Sequence, residues 1–283
     1  MLRIAIQSKG RLNESTMKLL EESGVKLSVG KRSLLVKSNN MPIEILYLRD
    51  DDIPECVEGA TADLGIVGMN EIDEQGADVD IVMPLGFGKC RLSLAIPREA
   101  EYESPRWFIG KTIATSYPKI LQRYLTERGI NAVIHRIGGS VEISPGIGLA
   151  DAIFDIVSSG STLISNNLKE VEVVCQSQAV LIANKKLTTE KKAELEQLLF
   201  RFQAVRNAED KKYVRMNVPK CQLDKIIGIL PGLKSPTVIP LADEEWCSVH
   251  TVLDDKCFWE IIGKLKELGA QGILVTSIEK MIF

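Results

Sequence analysis

Short apolar runs alternate with amphipathic stretches along the first half of the chain. Residues 2–6 (LRIAI) read as a buried strand, and the loop and helix that follow end at Gly24, a residue suited to a helix C-cap. The scheme repeats with a strand over residues 43–48, a short helix around residues 54–58 and a strand over residues 63–67. Strands that alternate with helices predict an α/β domain with a mainly parallel sheet covered on both faces.

A second group of the same kind begins at residues 90–97 (CRLSLAIP) and continues as strand, turn and helix over residues 110–130. The stretch VEVVCQSQAVLIANKK, residues 171–186, is long for one strand. Such a segment can pass from one sheet to another, although periodicity alone leaves this open.

The last third of the chain has a different order of elements. A helix over residues 188–205 places Leu195, Leu198, Leu199 and Phe202 on one face, and the charged stretch 206–212 follows it. Beyond it the pattern reads strand, helix, two strands, helix and strand. This βαββαβ order is that of the ferredoxin-like unit. We therefore predict a domain boundary near residues 206–212.

Composition limits the partners that this chain can have. The 283 residues carry a net charge of −3, which argues against broad binding to nucleic acid or to an anionic membrane. No run approaches the roughly 18 apolar residues that span a membrane, and no signal peptide is evident. The six cysteines form no CxxC pair and read as reduced thiols, so we expect a cytoplasmic protein.

The chain has few residues of the types used in metal and nucleophilic sites. His135 and His250 are its only histidines, and both sit in strand-like runs, where an ordinary structural role is the better interpretation. No His/Cys cluster has the spacing of a zinc site. A required metal would more plausibly be Mg²⁺ that arrives with phosphates, because Mg²⁺ needs few protein ligands.

The stretch DIVSSGSTL, residues 155–163, carries the clearest chemistry. An apolar strand runs into small residues and then into a predicted helix, so backbone N–H groups and hydroxyls point to one place. This arrangement suits a phosphate group. Asp155, just upstream, would accept hydrogen bonds from sugar hydroxyls, which together with the phosphate indicates a ribose 5-phosphate group. A Ser/Thr-rich turn with an ordinary helix cap explains the loop alone equally well.

The surrounding sequence resembles a specific family. GSVEISP, GLADAIFDIVSSGSTL, SKGRL, LRDDDIP, ADLGIVG, CRLSLA, IATSYP, LPGLKSPTVIPLA and FWEIIGKLKELGAQGILV are similar to stretches of ATP phosphoribosyltransferase, the first enzyme of histidine biosynthesis. The resemblance covers nearly the whole chain, and the long motif that ends in the phosphate loop is highly specific.

The resemblance implies an architecture: two α/β lobes connected by two crossings, as in periplasmic binding proteins, and a C-terminal ferredoxin-like (ACT-like) domain. Lobe I would comprise residues 1–89 and 176–206, lobe II residues 90–175, and a regulatory, histidine-binding domain residues 207–283. The family also suggests a hexamer in exchange with dimers.

The resemblance further implies that ATP and phosphoribosyl pyrophosphate are substrates, with Mg²⁺ as cofactor. N1 of adenine would attack C1 of the ribose and expel pyrophosphate. Lys9 and Arg11 would stabilise the departing pyrophosphate, although they also read as surface charges. The other expected substrate contacts are Glu142, Asp155, Ser158, Ser159, Gly160, Ser161, Thr162, Asp63, Arg49 and Tyr117. Asp63 also reads as an ordinary turn or helix cap.

In the C-terminal unit, the loop GLKSPT matches the effector-binding stretch of the family. The resemblance therefore implies that histidine inhibits the enzyme from a site formed by Asn217, Leu233, Ser235, Thr237 and Gly272, with Asn217 standing where some relatives have Asp. Two other interpretations are open at this level. One is a non-catalytic, two-lobed sensor of a small molecule, and the other is a different phosphoribosyltransferase.

Overall fold

The computed structural model describes residues 1–27, 34–231 and 235–283. These residues fold as two compact units, residues 1–21 with 25–196 and residues 22–24 with 197–283. The division lies inside the long helix Thr189–Ala208, earlier than the boundary that the sequence suggested. The proposed functional boundary at residue 207 stays a prediction.

The first unit contains two sheets, each covered by helices. The six-stranded sheet and its helices are called lobe I. The strand order in this sheet is β2-β3-β1-β4-β11-β5. Its elements are β1 (Leu2–Gln7), α1 (Arg11–Glu22), β2 (Leu35–Lys37), β3 (Ile43–Leu48), α2 (Ile53–Glu58), β4 (Leu64–Gly68), α3 (Met69–Gln75), β5 (Asp80–Pro84) and β11 (Ala179–Ala183).

The five-stranded sheet has the order β10-β6-β9-β7-β8, and with its helices it forms lobe II. Its elements are β6 (Cys90–Pro97), β7 (Thr112–Thr115), α4 (Pro118–Glu127), β8 (Val133–Arg136), β9 (Ala152–Val157), α5 (Ser161–Ser165) and β10 (Leu168–Ser177). The chain passes between the sheets twice, from β5 to β6 and from β10 to β11. The long apolar stretch of the sequence is thus two strands in different sheets.

Each sheet has its own apolar core. In lobe II, Phe108, Phe154, Leu92 and Leu94 are fully buried, and α4 packs its apolar face against them. Removing the ring of a buried Phe costs about 3–5 kcal/mol, so these residues hold the helix to the sheet. The sequence of α4 indicates that it packs one face against the sheet, because its apolar residues recur at helical spacing.

Sheet topology places the ends of several strands together. In lobe I, β1 is parallel to both β3 and β4, and in lobe II, β7 is parallel to both β8 and β9. The carboxyl ends of parallel neighbours lie at one edge of a sheet, which is where open α/β sheets bind ligands. The segments that follow these strands are therefore the candidates for a site.

The second unit contains a four-stranded antiparallel sheet of order β13-β14-β12-β15. Its elements are the C-terminal part of α6 (Thr189–Ala208), then β12 (Lys211–Pro219), α7 (Leu223–Ile229), β13 (Thr237–Pro240), β14 (Trp246–Asp254), α8 (Asp255–Glu267) and β15 (Gln271–Ser277). Alternate residues of β12, Val214, Met216 and Val218, are fully buried in its core. The predicted fold class, two lobes and a ferredoxin-like unit, is confirmed.

Candidate active site

Two cations lie where the first strand of lobe I ends. Lys9 and Arg11 are exposed, and no ion pair to either occurs among the described residues. Gly10 between them has a φ of +94°, a left-handed conformation that glycine adopts without strain. The turn begins α1 immediately after β1, so both charges stay at the sheet edge. They supply local positive charge in a chain that is acidic overall.

Arg49 follows β3 at the same edge but already has a partner. Its Nε and Nη2 atoms donate hydrogen bonds to the two carboxylate oxygens of Asp51, at 3.0 and 2.8 Å. The pair is exposed. The structure therefore brings Arg49 to the predicted edge, paired with an acid of its own turn.

In lobe II the small residues after β9 form the expected loop. Ser158, Ser159, Ser161 and Thr162 are exposed, and Gly160 has a φ of +82°. Across the described ranges, no hydrogen bond is made by the backbone N–H groups of Ser159 and Gly160. The helix that follows, α5, is only five residues long. The loop therefore offers two free backbone donors and four hydroxyls.

Asp155 and Glu142 lie close enough for their charges to interact. Asp155 is on β9, and its Oδ1 accepts a hydrogen bond of 2.8 Å from the N–H of Ile156. Burial raises the pKa of Asp155 to about 6, the bond from Ile156 opposes this, and the charge of Glu142 adds to the increase. The two predicted ribose acceptors are therefore in one region of lobe II. Glu142 lies in the segment after β8, and Asp155 lies on β9.

Tyr117 follows β7 at this edge, where its side chain is 8% exposed. Its hydroxyl donates a hydrogen bond of 2.9 Å to Glu71 of α3, in lobe I. Burial, and next the charge of Glu71, raise the pKa of Tyr117 above its ordinary value, and Asp155 contributes in the same direction. Tyr117 therefore connects the strand ends of the two lobes. Its contact with Glu71 was not predicted.

The sequence did carry a signal for this contact. The stretch GMNEIDE places Asn70 and Glu71 immediately after the buried strand β4, at the edge where ligands bind. Side chains there have a functional or connecting role more often than those at the opposite edge. Sequence reasoning overlooked them because they begin an amphipathic helix.

The structure corrects the predicted role of Asp63 as a substrate contact. Asp63 precedes β4, so it lies at the opposite edge of the sheet from Lys9 and Glu71. Its carboxylate accepts a 2.9 Å hydrogen bond from the N–H of Arg3 and forms a 2.6 Å ion pair with Lys191. One carboxylate oxygen thus binds β1 and the other binds Lys191 at the start of α6. This placement is a structural one, and we exclude Asp63 from the candidate site.

The predicted effector residues belong to the second unit. Leu233 lies outside the described residues. Ser235 and Thr237 are exposed, and Gly272 has a φ of +56° with the Asn217 side chain beside it, 3.5 Å from where a Cβ atom would lie. The alternation of the strands puts Thr237 and Asn217 on the sheet face away from the core.

Two other features are absent from the described parts of the chain: a group of metal ligands and a membrane-spanning helix. No three His, Cys, Asp or Glu side chains within residues 1–27, 34–231 and 235–283 are grouped as metal ligands. Over the same ranges, no helix is long and apolar enough to cross a membrane.

Comparison with known proteins agrees with the geometry. The profile of the family described as "ATP phosphoribosyltransferase" matches residues 49–204, and that described as "HisG, C-terminal domain" matches residues 208–280. The ATP phosphoribosyltransferases of Bacteroides thetaiotaomicron and Bacteroides fragilis are 67% and 65% identical to the chain, each over the whole of both sequences.

One solved structure is similar as well. The "ATP phosphoribosyl transferase (HisG:HisZ) complex from Thermotoga maritima" aligns with a TM-score of 0.63 and 30% identity, over 72% of this chain and 96% of that one. The family profiles and the relatives together define a glycosyltransferase that moves a phosphoribosyl group. The chain belongs to the ATP phosphoribosyltransferase family, and the family name implies a function in histidine biosynthesis. The sensor and the other phosphoribosyltransferases are thereby set aside.

Proposed function

We propose that the strand ends of lobes I and II form the site where ATP and phosphoribosyl pyrophosphate react. N1 of adenine forms a bond to C1 of the ribose while the bond from C1 to pyrophosphate breaks. N1 carries no proton, so no general base is needed for this step. The protein contributes by binding, by orientation and by stabilising the charge that develops.

Ser158, Ser159, Gly160, Ser161 and Thr162 bind the 5-phosphate in this proposal. The two backbone N–H groups without a partner, at Ser159 and Gly160, support the assignment, because an anion satisfies such donors well. The hydroxyls of Ser159 and Ser161 lie 3.0 Å apart and can rotate toward a phosphate oxygen.

Asp155 and Glu142 accept hydrogen bonds from the two ribose hydroxyls. Glu142 lies in the segment between β8 and β9 and Asp155 lies on β9, and the charge of Glu142 adds to the increase in the pKa of Asp155; both points support this role. Two carboxylates that repel one another gain from donors placed between them. A diol supplies two such donors.

Lys9 and Arg11 stabilise the departing pyrophosphate. Neither has an ion pair in the described part of the chain, so both are available to an anion. The family is one that generally requires a divalent metal. We propose that Mg²⁺ serves, bound mainly by the pyrophosphate oxygens, since the described side chains form no ligand group of their own. Bound there, Mg²⁺ would neutralise charge on the leaving group.

One observation carries the proposal: Tyr117, Glu142 and the 5-phosphate loop follow the carboxyl ends of three parallel neighbours, β7, β8 and β9, and Asp155 lies near the end of β9 itself. The direct test is Thr162→Val, which removes a hydroxyl and keeps the shape. We expect the KM for phosphoribosyl pyrophosphate to rise about 5- to 20-fold and the KM for ATP to change less than twofold. Equal KM values in variant and parent would refute the loop assignment.

Two finer proposals concern assembly and regulation. We propose a homo-oligomer, a hexamer in exchange with dimers, and the Thermotoga protein, which was solved as a complex, supports assembly in general. We also propose that histidine inhibits the enzyme by binding to the second unit near Asn217, Ser235, Thr237 and Gly272. The match of residues 208–280 to a family-specific domain supports a role beyond completing the catalytic sheets.

A further inference from the structure

A buried carboxyl group of lobe I takes no part in the reaction described above. Glu71 is 7% exposed, and its Oε1 accepts hydrogen bonds from Asn70 Nδ2 at 2.8 Å and from the hydroxyl of Tyr117 at 2.9 Å. Asn70 in turn accepts a bond of 2.7 Å from Ser177, the last residue of β10. Glu71 thus lies in a buried polar network that joins α3 of lobe I to Tyr117 and Ser177 of lobe II.

Further contacts surround this network. The carboxylate of Glu74, also on α3, accepts hydrogen bonds of 3.0 to 3.1 Å from the N–H groups of Lys119 and Ile120. These N–H groups belong to the first turn of α4, where a helix leaves its donors without internal partners. The Lys119 ammonium donates to the carbonyl of Gln75 at 3.1 Å. Helix α3 of lobe I therefore holds the start of α4 of lobe II, and Glu71 is the buried part of that contact.

The surroundings of Glu71 disfavour its charge. Burial raises its pKa to about 7, the hydrogen bond from Tyr117 opposes the increase, and Asp50, Asp51 and Glu74 add to it. On β6, burial raises the pKa of the Cys90 thiol, and the charge of Glu71 adds to this increase. No Lys or Arg pairs with Glu71 in the parts of the chain that are described. A carboxyl group in such a place is easily protonated near neutral pH.

We propose that Glu71 is a positioning residue for phosphoribosyl transfer, which acts through Tyr117 to fix the two lobes at the spacing that the reaction needs. It does not touch the substrates. Tyr117 lies two residues after Thr115, which pairs with Phe154 beside Asp155, so a shift at Glu71 moves one lobe relative to the proposed ribose site. The inference rests on the proposed function only in this last link. The network itself is independent of that assignment.

Protonation favours the joined arrangement. If α3 and α4 separate, water reaches Glu71 and its pKa falls toward the ordinary value for a glutamate. The joined state is the one with the higher pKa, so it binds the proton more tightly and is stabilised as pH falls. A rise in pH through about 7 ionises Glu71 in the joined state and favours separation. We therefore expect kcat/KM to fall on the alkaline side, where the two lobes lose the spacing that the reaction needs.

The test compares Glu71→Gln with Glu71→Ala in the full-length enzyme. Gln keeps an oxygen for the same two donors and stays neutral at every pH, so it imitates protonated Glu71. We expect kcat/KM for the glutamine variant to stay within about threefold of the parent at pH 6.5 and to decline less at pH 8.5. Ala leaves the Tyr117 hydroxyl without its acceptor and leaves the Asn70 amide only its longer bond, 3.3 Å, to that hydroxyl, so kcat/KM should fall about 10- to 100-fold.

Asp73→Asn is the matched control, because Asp73 lies on the same helix and reaches α4 through an exposed ion pair with Arg123. It should keep the parental pH profile. A glutamine variant that is as impaired as the alanine variant at every pH would overturn the proposal, since the charge would then be required. So would an alanine variant with parental kinetics. Should the alanine variant not fold, the pH profile of Glu71→Gln decides alone. Asp155→Asn, measured in parallel, reports separately on the ribose site.

Discussion

The guanidinium of Arg91 donates a hydrogen bond from Nη1 to the backbone carbonyl of Ser158, at 3.1 Å. The other nitrogens of Arg91 bind both carboxylate oxygens of Glu170, at 2.5 and 2.6 Å, and Ser93 donates to the same carboxylate. The hydrogen bond from Arg91 lowers the pKa of Glu170. Arg91 is thus occupied by Glu170 and holds the first carbonyl of the proposed phosphate loop.

This geometry predicts that Arg91 acts on the loop and does not bind the phosphate itself. A loop that binds an anion through N–H groups must keep its carbonyls turned away. We expect Arg91→Lys to raise the KM for phosphoribosyl pyrophosphate about 3- to 10-fold with little effect on kcat, because lysine cannot reproduce the two-pronged pairing. Steady-state kinetics with each substrate varied would measure this. A parental KM would show that the loop keeps its shape unaided.

The raised pKa of Asp155 predicts that kcat/KM declines on the acid side of its pH profile, the acid limb. In the proposed role its carboxylate must be ionised to accept charge-assisted hydrogen bonds from the ribose, and burial raises its pKa to about 6. We expect kcat/KM for phosphoribosyl pyrophosphate to fall as pH drops through 6. Asp155→Asn should lower kcat/KM at pH 8 by roughly 10- to 150-fold, the equivalent of about 1.5–3 kcal/mol, and should remove this limb.

The companion variant Glu142→Gln removes a negative charge beside Asp155, so the acid limb should move to lower pH while part of the activity is lost. A limb that stays in place in both variants would assign it to another group, and losses below threefold in both would make these carboxylates structural.

The same residue predicts a conflict between activity and stability. The folded-state pKa of Asp155 lies above its unfolded value, so the native state holds the proton more tightly and loses stability as pH rises from about 4 to about 6. Asp155→Asn cannot ionise, and at pH 8 it should be more stable than the parent by about 1–3 kcal/mol, although its kcat/KM is lower. Thermal melting at pH 4.5 and pH 8 would test this. An Asp155→Asn variant that melts below the parent at pH 8 would contradict it.

The sequence contained most of the fold but only part of the site. Alternating strands and helices and the βαββαβ order each have a local signature, and both were predicted correctly. The long stretch before residue 186 was left open at the level of periodicity, which does not show where a chain passes from one sheet to another. The loop after β9 was equally visible. The Glu71–Tyr117 and Arg91–Glu170 contacts join residues 46 and 79 positions apart, and no local pattern indicates such pairs. Asp63 was assigned to the substrate site, but β4 begins one residue after it, so Asp63 lies at the amino end of the strand and not at the edge where the site is.

Asp63 provides a test of that correction. Its carboxylate is nearly buried, with 11% of the side chain exposed, and is shared between Arg3 N–H and Lys191. Asp63→Asn should lower the free energy of unfolding by about 1–3 kcal/mol, because the Lys191 ammonium loses its partner. The KM values for both substrates should stay within twofold of the parent. Asp73→Asn, which breaks an exposed ion pair, should leave the melting temperature nearly unchanged. A selective rise in either KM would return Asp63 to the substrate site.

Regulation by histidine gives the last prediction, and it concerns the open face of the second unit. Thr237 and Asn217 lie on that face, and the absence of a side chain at Gly272 leaves room beside Asn217. An inhibitor must bind one global state of the enzyme better than another, so blocking its site should remove inhibition without removing turnover. We expect Ser235→Phe and Thr237→Phe each to weaken inhibition by histidine at least 10-fold, with uninhibited kcat within twofold of the parent.

Glu260→Phe is the matched control for that experiment, since it adds the same bulk at an exposed position of α8, on the other side of the sheet. It should leave inhibition intact. Calorimetry with histidine alone separates binding from coupling. The proposal fails if the parent enzyme neither binds histidine nor slows at millimolar histidine. It fails equally if the control loses inhibition as fully as the two site variants, because the bulk would then act through the fold of the unit.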